Sequence, residues 1–238
     1  KKEHYFDKII KCSAQHFHLL RDSIEYQVSI DFVKALNWAS RINTEERTIT
    51  AQYWAIDRYL ETAGFSSKSV LRALKDLPSY KTEYVQIAIK LAMKLKVHGI
   101  HDLTQSEFEK FLKVRNKLLN NIEKSIFISN LIVAIESNES FDFHSVLKRE
   151  NLEVDLIKSF ESIDSMWHKI DIGYELATNL RETNEKIANQ IERRVYALQD
   201  EDTAIKSKEI KNAYVRSVNL SIRTNNVILR NNLDGTSN

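Results

Sequence analysis

Apolar side chains recur along this chain at steps of three and four residues, the spacing that places them on one face of an α-helix. Phe6, Ile9, Ile10, Phe17, Leu20 and Ile24 keep that step over 4–27, and Phe32, Leu36 and Ala39 keep it through a shorter helix over 31–41. Asn43-Thr44-Glu45-Glu46 reads as a connector and helix start, with carboxylates suited to the positive end of the helix dipole. Thr48 or Thr50 is the expected cap of a helix through Tyr53, Ile56, Tyr59 and Leu60, with Gly64 ending it as the residue just past the last turn. Ser66 or Ser67 opens the next helix, through Val70, Leu71, Leu74 and Leu77, and Pro78 stops it. Tyr84, Ile87, Leu91 and Leu95 define another, closed by Gly99.

Thr104-Gln105-Ser106-Glu107 has the form of a capping box, in which cap and third residue satisfy each other's backbone N–H groups. It predicts the start of a long helix through Phe108, Phe111, Leu112, Leu118, Leu119, Ile122, Ile126 and Leu131 to about Glu136. A polar break over 137–140 follows, then short helices near 143–149 and 154–170, with Gly173 as a joint. Ala177, Leu180, Asn184, Ile187, Ile191, Arg194 and Leu198 then alternate three- and four-residue steps, the seam of a coiled-coil-like arm. Asp200-Glu201-Asp202 is the expected turn, and 205–229 the returning arm. The resulting expectation is an all-α chain: a globular array of short and medium helices at 1–172, then a long C-terminal helical hairpin at 173–238 with a frayed tail.

Composition sharpens this. The 238 residues include four glycines and one proline, too few for the tight turns of a β-rich domain. No two glycines lie close enough to build a phosphate-cradling loop. The longest apolar stretch, 126–135, is interrupted by Ser129 and Asn130 and falls far short of the roughly 20 residues that span a bilayer, so no membrane span is expected. A single cysteine, Cys12, cannot form an internal disulfide, which fits a reducing compartment and a cytoplasmic location. The net charge of +2 conceals segregation: residues 1–100 carry 16 basic and 11 acidic side chains, 101–205 carry 13 and 20, and 206–238 carry 6 and 2. An acidic middle flanked by basic ends can compensate within the fold, or leave basic surface for an acidic partner.

Asn212, Arg216, Asn219, Arg223, Asn226 and Arg230 form one polar stripe on the last predicted helix. Asn and Arg both donate directional hydrogen bonds, which suits phosphates or a row of carboxylates, and a solvated helix face has the same look. Over 50–77, two helices joined at Thr62-Ala63-Gly64-Phe65-Ser66 have the outline of a helix-turn-helix, with Lys68, Arg72 and Lys75 exposed on the second helix. Ordinary helix packing gives the same outline. His98-Gly99-Ile100-His101-Asp102 gathers two imidazoles and a carboxylate, but a metal site needs further ligands, and none is expected. Cys12 lies one turn before His16, on a helix face where a thiol is usually buried and inert. No zincin, nucleophile-elbow or di-iron pattern occurs. No cofactor is expected, and enzyme activity is not expected. Trp38, Trp54 and Trp167, with Tyr53 and Tyr59, read as core anchors of the N-terminal array, or as the wall of a ligand pocket within it.

The order Trp38, Glu46-Arg47, Gly64-Phe65 before a Ser-rich helix start, Arg115, then 126–135 faintly resembles the catalytic domains of Ras-family nucleotide exchange factors over about residues 30–160. That family's Asn before the Phe, its Pro-Leu-Gly turn and its earlier Leu-Thr motif, ahead of these segments, are missing. The leading expectation is a non-enzymatic protein-interaction module that binds a protein partner, or itself, through 174–232. The alternatives are a nucleic-acid binder using the C-terminal stripe and the basic 67–75 helix, and a ligand-binding sensor domain of a larger receptor.

Overall fold

The computed structural model describes residues 4–6, 8, 17–42, 44–138 and 151–200. The chain is all-helical, and no strand occurs among the described residues. Its elements are α1 (Phe17–Val28), α2 (Phe32–Ala39), α3 (Glu45–Leu60), α4 (Ser67–Leu74), α5 (Thr82–His98), α6 (Gln105–Leu112), a 3-10 turn (Lys113–Lys117), α7 (Asn121–Glu136), α8 (Leu152–Glu161) and α9 (Met166–Leu180). Residues 185–200 are also helical and are called α10. The chain divides into two compact units, Lys1–Ser159 and Phe160–Asn238.

In the first unit, α1, α2 and α3 pack on one another, α3 and α4 lean on α5, and α5 makes its most extensive contact with α7. The sequence explains why α7 is the central helix. Phe127, Ile128, Leu131, Ile132, Val133, Ala134 and Ile135 go round all its sides, and all are buried. A helix apolar on every face has no side for water and must be enclosed. Its buried polar groups bond to their own backbone: the Ser125 hydroxyl donates to Asn121 O (2.7 Å), Ser129 to Ile126 O (3.0 Å) and Asn130 Nδ2 to Ile126 O (2.9 Å). Such local bonds spare the core an unsatisfied donor.

Several expected boundaries are confirmed by their caps. Ser66 caps α4 by accepting from Ser69 N, Gly99 closes α5 at φ 79°, and the Thr104/Glu107 capping box opens α6 with both reciprocal bonds in place. Others move. Thr48 and Thr50 lie inside α3, whose cap position is Thr44, and their hydroxyls bond to Ile42 O and Glu46 O. Gly64 is not the left-handed end of α3. That helix closes at Glu61 in right-handed geometry, with the Thr62 hydroxyl on Tyr59 O, so no positive φ is required there.

The long helix expected from the capping box to Glu136 is two helices. α6 tightens into the 3-10 turn, Leu118 turns extended (ψ 114°), and Asn120 caps α7 by accepting from Ile122 N at 2.8 Å. Arg115 anchors the break: it is buried, with Nε on Asp155 Oδ2 (2.9 Å) and Nη1 on Leu112 O (3.1 Å). Apolar periodicity hid the break because Leu118 is buried on both readings. The helix expected over 154–170 is likewise two, α8 and α9, with Ser165 capping α9. The short helix expected near 143–149 lies outside the described residues.

In the second unit, Gly173 is no joint. It sits inside α9, and a Cβ there would run into the Val195 side chain and come within 3.1 Å of the Phe160 ring. The seam expected to run unbroken from Ala177 to Leu198 is interrupted at 181–184, where Asn184 accepts from Ile187 N and caps α10. α9 and α10 form an antiparallel pair: Tyr174 donates to Gln199 Oε1 (2.9 Å) and meets Tyr196 edge-on, while near the turn Arg181 pairs with Asn189 and Glu192. Ala177, Leu180, Ile187 and Ile191 are buried, whereas Arg194 is exposed and pairs with Glu161 at 2.8 Å. Asn184 and Arg194 are therefore not the seam positions that their spacing predicts. One is a cap and the other a surface ion pair. The expected returning arm, 205–229, lies outside the described residues.

Candidate functional site

A cleft of about 630 Å³ opens in the first unit between α4 and the α6–3-10 segment. Its formation follows from local sequence. Ser66 and the Asp102 carboxylate both accept from the first turn of α4, at Ser69 N and Lys68 N (3.3 Å). Glu107 of the capping box reaches Lys68 Nζ at 3.0 Å. These bonds tie the start of α4 to the start of α6. Beyond that tie, α4 buries Val70, Ala73 and Leu74 and leaves Lys68, Arg72 and Lys75 on its other side, at i, i+4 and i+7. The facing wall carries Lys110, Lys113 and Lys117, at i, i+3 and i+7. Leu71, Leu74, Leu77, Tyr84, Phe111 and Val114 make the floor.

Six cations thus line one cleft, with Glu107 as the only carboxylate among its lining residues. Lys68 is neutralised by Glu107, and Lys117 lies 5.4 Å from the centre of the Tyr84 ring. The side chains of Arg72, Lys75, Lys110 and Lys113 are exposed and make no ion pair or hydrogen bond among the described residues. Like charges held together without counter-charges repel one another, and an anion in the cleft relieves that repulsion. Tyr84 is only 4% exposed, and burial raises the pKa of its phenol, so it stays neutral. Phe111 is 1% exposed.

The Glu107 carboxylate is pulled down to about 2 by the Thr104 backbone N–H first, then by Lys68 and the Thr104 hydroxyl. Its charge therefore stabilises the fold fully above the ordinary carboxylate range near 4.5, and that contribution disappears as pH falls towards 2. The wild type should lose its stability advantage over Glu107→Gln across that window, measured as urea midpoints at stepped pH. A midpoint difference that stays constant from pH 6 to about 2 would show that the ionised cap contributes nothing.

Of the residues marked out from the sequence, Lys68, Arg72 and Lys75 come together here. Asn212, Arg216, Asn219, Arg223, Asn226 and Arg230 lie outside the described residues, as do Cys12 and His16. Trp38 is buried and stacks on Phe6 (4.2 Å between centres), and Tyr59 stacks on Phe32 (3.9 Å). Trp54 is half-buried under Arg21, and Trp167 belongs to the second unit rather than the N-terminal array. At 98–102, His98 packs on Phe65, the His101 ring folds against Gly99 and Asp102 serves α4. Among the described residues no three His, Cys, Asp or Glu side chains converge as a metal site, and no helix is long and apolar enough to cross a membrane.

Lys110, Lys113 and Lys117 escaped sequence reasoning. Their three- and four-residue spacing was visible, but nothing in it says that they face α4. Comparison of the chain with protein families, curated proteins and solved structures finds no significant match. What the fold and the cleft define is an all-helical chain with a basic, apolar-floored cleft in its first unit.

Proposed function

We propose that this chain is a non-catalytic protein-interaction module that holds an acidic partner in the cleft between α4 and the α6–3-10 segment. One observation carries the reading: four cations with unpaired side chains, from α4 and from the α6–3-10 segment, border an apolar floor, with a single, already paired carboxylate beside them. Charge of one sign over a low-dielectric floor steers and holds the opposite sign. A nucleic-acid strand matches the charge but not the floor. Bases bind such grooves by stacking on open aromatic faces, and Tyr84 and Phe111 are almost wholly buried. No part of this reading rests on the C-terminal stripe.

The test is the affinity of fluorescently labelled poly-L-glutamate for the full chain, beside Arg72→Gln/Lys75→Gln/Lys110→Gln/Lys113→Gln. Gln keeps much of each stem and removes the charge. Binding should weaken about fourfold or more in the variant, since each of four exposed pairs is worth about 0.2–1 kcal/mol, and it should fall with added salt. Absence of wild-type binding, or equal affinity in the two proteins, would refute an acidic-partner site here.

A further inference from the structure

Building on that acidic-partner reading, we infer that the occupant of the cleft is an amphipathic α-helix, apolar along one stripe and acidic on both flanks of it. The arrangement of charge and floor is what an extended acidic chain would not require. The cations form two rows rather than a cluster. One row runs from Lys68 to Lys75 on α4 and the other from Lys110 to Lys117 on the facing wall. Each row spans seven residues, about 10–14 Å at helical and 3-10 rises. Apolar side chains line the same cleft as the two rows, with Leu71 half-exposed and Leu74, Leu77, Tyr84, Phe111 and Val114 buried.

A strand alternates its side chains between two opposite faces, so it would meet the floor on one face and turn the other away. A helix presents a stripe at i, i+3, i+4 and i+7, with flanking positions to either side at the same level. Two turns of such a helix cover about 11 Å, the length of the rows. A helix is about 10–12 Å across with its side chains, so a cleft of about 630 Å³ takes its apolar stripe and leaves its back in solvent. Acidic residues on one flank then meet Arg72 and Lys75, and those on the other meet Lys110 and Lys113. Lys68, bound to Glu107, marks one end of the rows.

Two synthetic peptides of about 14 residues and identical Glu/Leu composition test this. One carries Leu at i, i+3, i+7 and i+10, and the other has the same residues scrambled so that no stripe forms. The striped peptide should bind the full chain at least about tenfold more tightly and gain helical ellipticity on binding. Leu71→Ser should weaken striped-peptide binding by a larger factor than it weakens poly-L-glutamate binding. Equal binding of both peptides, lost in the four-Gln variant, would overturn the helical occupant and leave the acidic-partner reading standing. Failure of both peptides and of poly-L-glutamate would overturn both. Tighter binding of oligo(dT) or polyphosphate than of the striped peptide would also overturn both, and would assign the cleft to phosphates. Far-UV spectra of Leu71→Ser and the four-Gln variant check the fold, and Arg72→Gln/Lys113→Gln, one change from each row, repeats the charge test with less perturbation.

Discussion

Phe127→Ala should lower the stability of the chain by about 3–5 kcal/mol, the largest single loss expected in the first unit. Phe127 is fully buried in α7 and meets Phe111 edge-on, with ring centres 5.2 Å apart and planes at 77°. Truncation removes the ring's burial and the edge-to-face contact, worth about 0.5–1.5 kcal/mol beyond area. It also leaves a cavity inside the helix that the rest of the unit surrounds, where relaxation is limited. Phe111 is part of the cleft floor, so the loss reaches the site: poly-L-glutamate affinity should fall even where the variant remains folded. Phe127→Leu, which refills much of the space, should recover most of the loss. Denaturant unfolding of the three proteins measures this, and a cost below about 1 kcal/mol for Phe127→Ala would mean that α7 is not the centre of the core.

Gly173→Ala separates local propensity from packing in the second unit. Inside an isolated helix the change is favourable by about 1 kcal/mol, because Ala loses less backbone freedom than Gly. In α9 the added methyl would overlap the Val195 side chain of α10 and approach Phe160 at 3.1–3.2 Å. Val195 and Phe160 are both fully buried, so neither has open space to move into. Overpacking of this kind costs about 1–3 kcal/mol. The net effect should be a loss of stability, read as a lower midpoint for the part of the unfolding transition that reports on Tyr174 and Tyr196. A rise in that midpoint would show that α9 and α10 do not approach closely at Gly173. Gly173→Ser, with the same Cβ, an added hydroxyl and a smaller propensity gain, should be worse than Ala.

The all-α class was legible from the spacing of apolar residues and the scarcity of Gly and Pro, because both act locally. Ser66, Gly99 and the Thr104/Glu107 box were legible for the same reason: a cap is made by residues within one turn of each other. Where a local signal coincided with continuing apolar periodicity, the periodicity misled. Asn120 and Asn184 are caps, yet the apolar positions around each keep helical spacing across the break. Asn suits a cap well enough that Asn120-Asn121 and Thr183-Asn184 were the available signals. Gly173 was misread in the opposite sense, since a buried glycine in a helix is explained by the neighbour it admits, and Val195 is 22 residues away.

Half of the candidate site was written in one helix. Lys68, Arg72 and Lys75 share a face by spacing alone, and Lys110, Lys113 and Lys117 would share one in an unbroken α-helix. Each row taken singly is what any solvated helix shows. Sequence fixes which side chains share a stripe, because helix geometry relates residues three and four apart. Which stripes face each other depends on the break at 113–120 and on the Asp102 and Glu107 contacts with α4. Those are made across about 30–40 residues of chain, beyond the reach of any local rule, and the tertiary structure alone brought the two rows to one cleft.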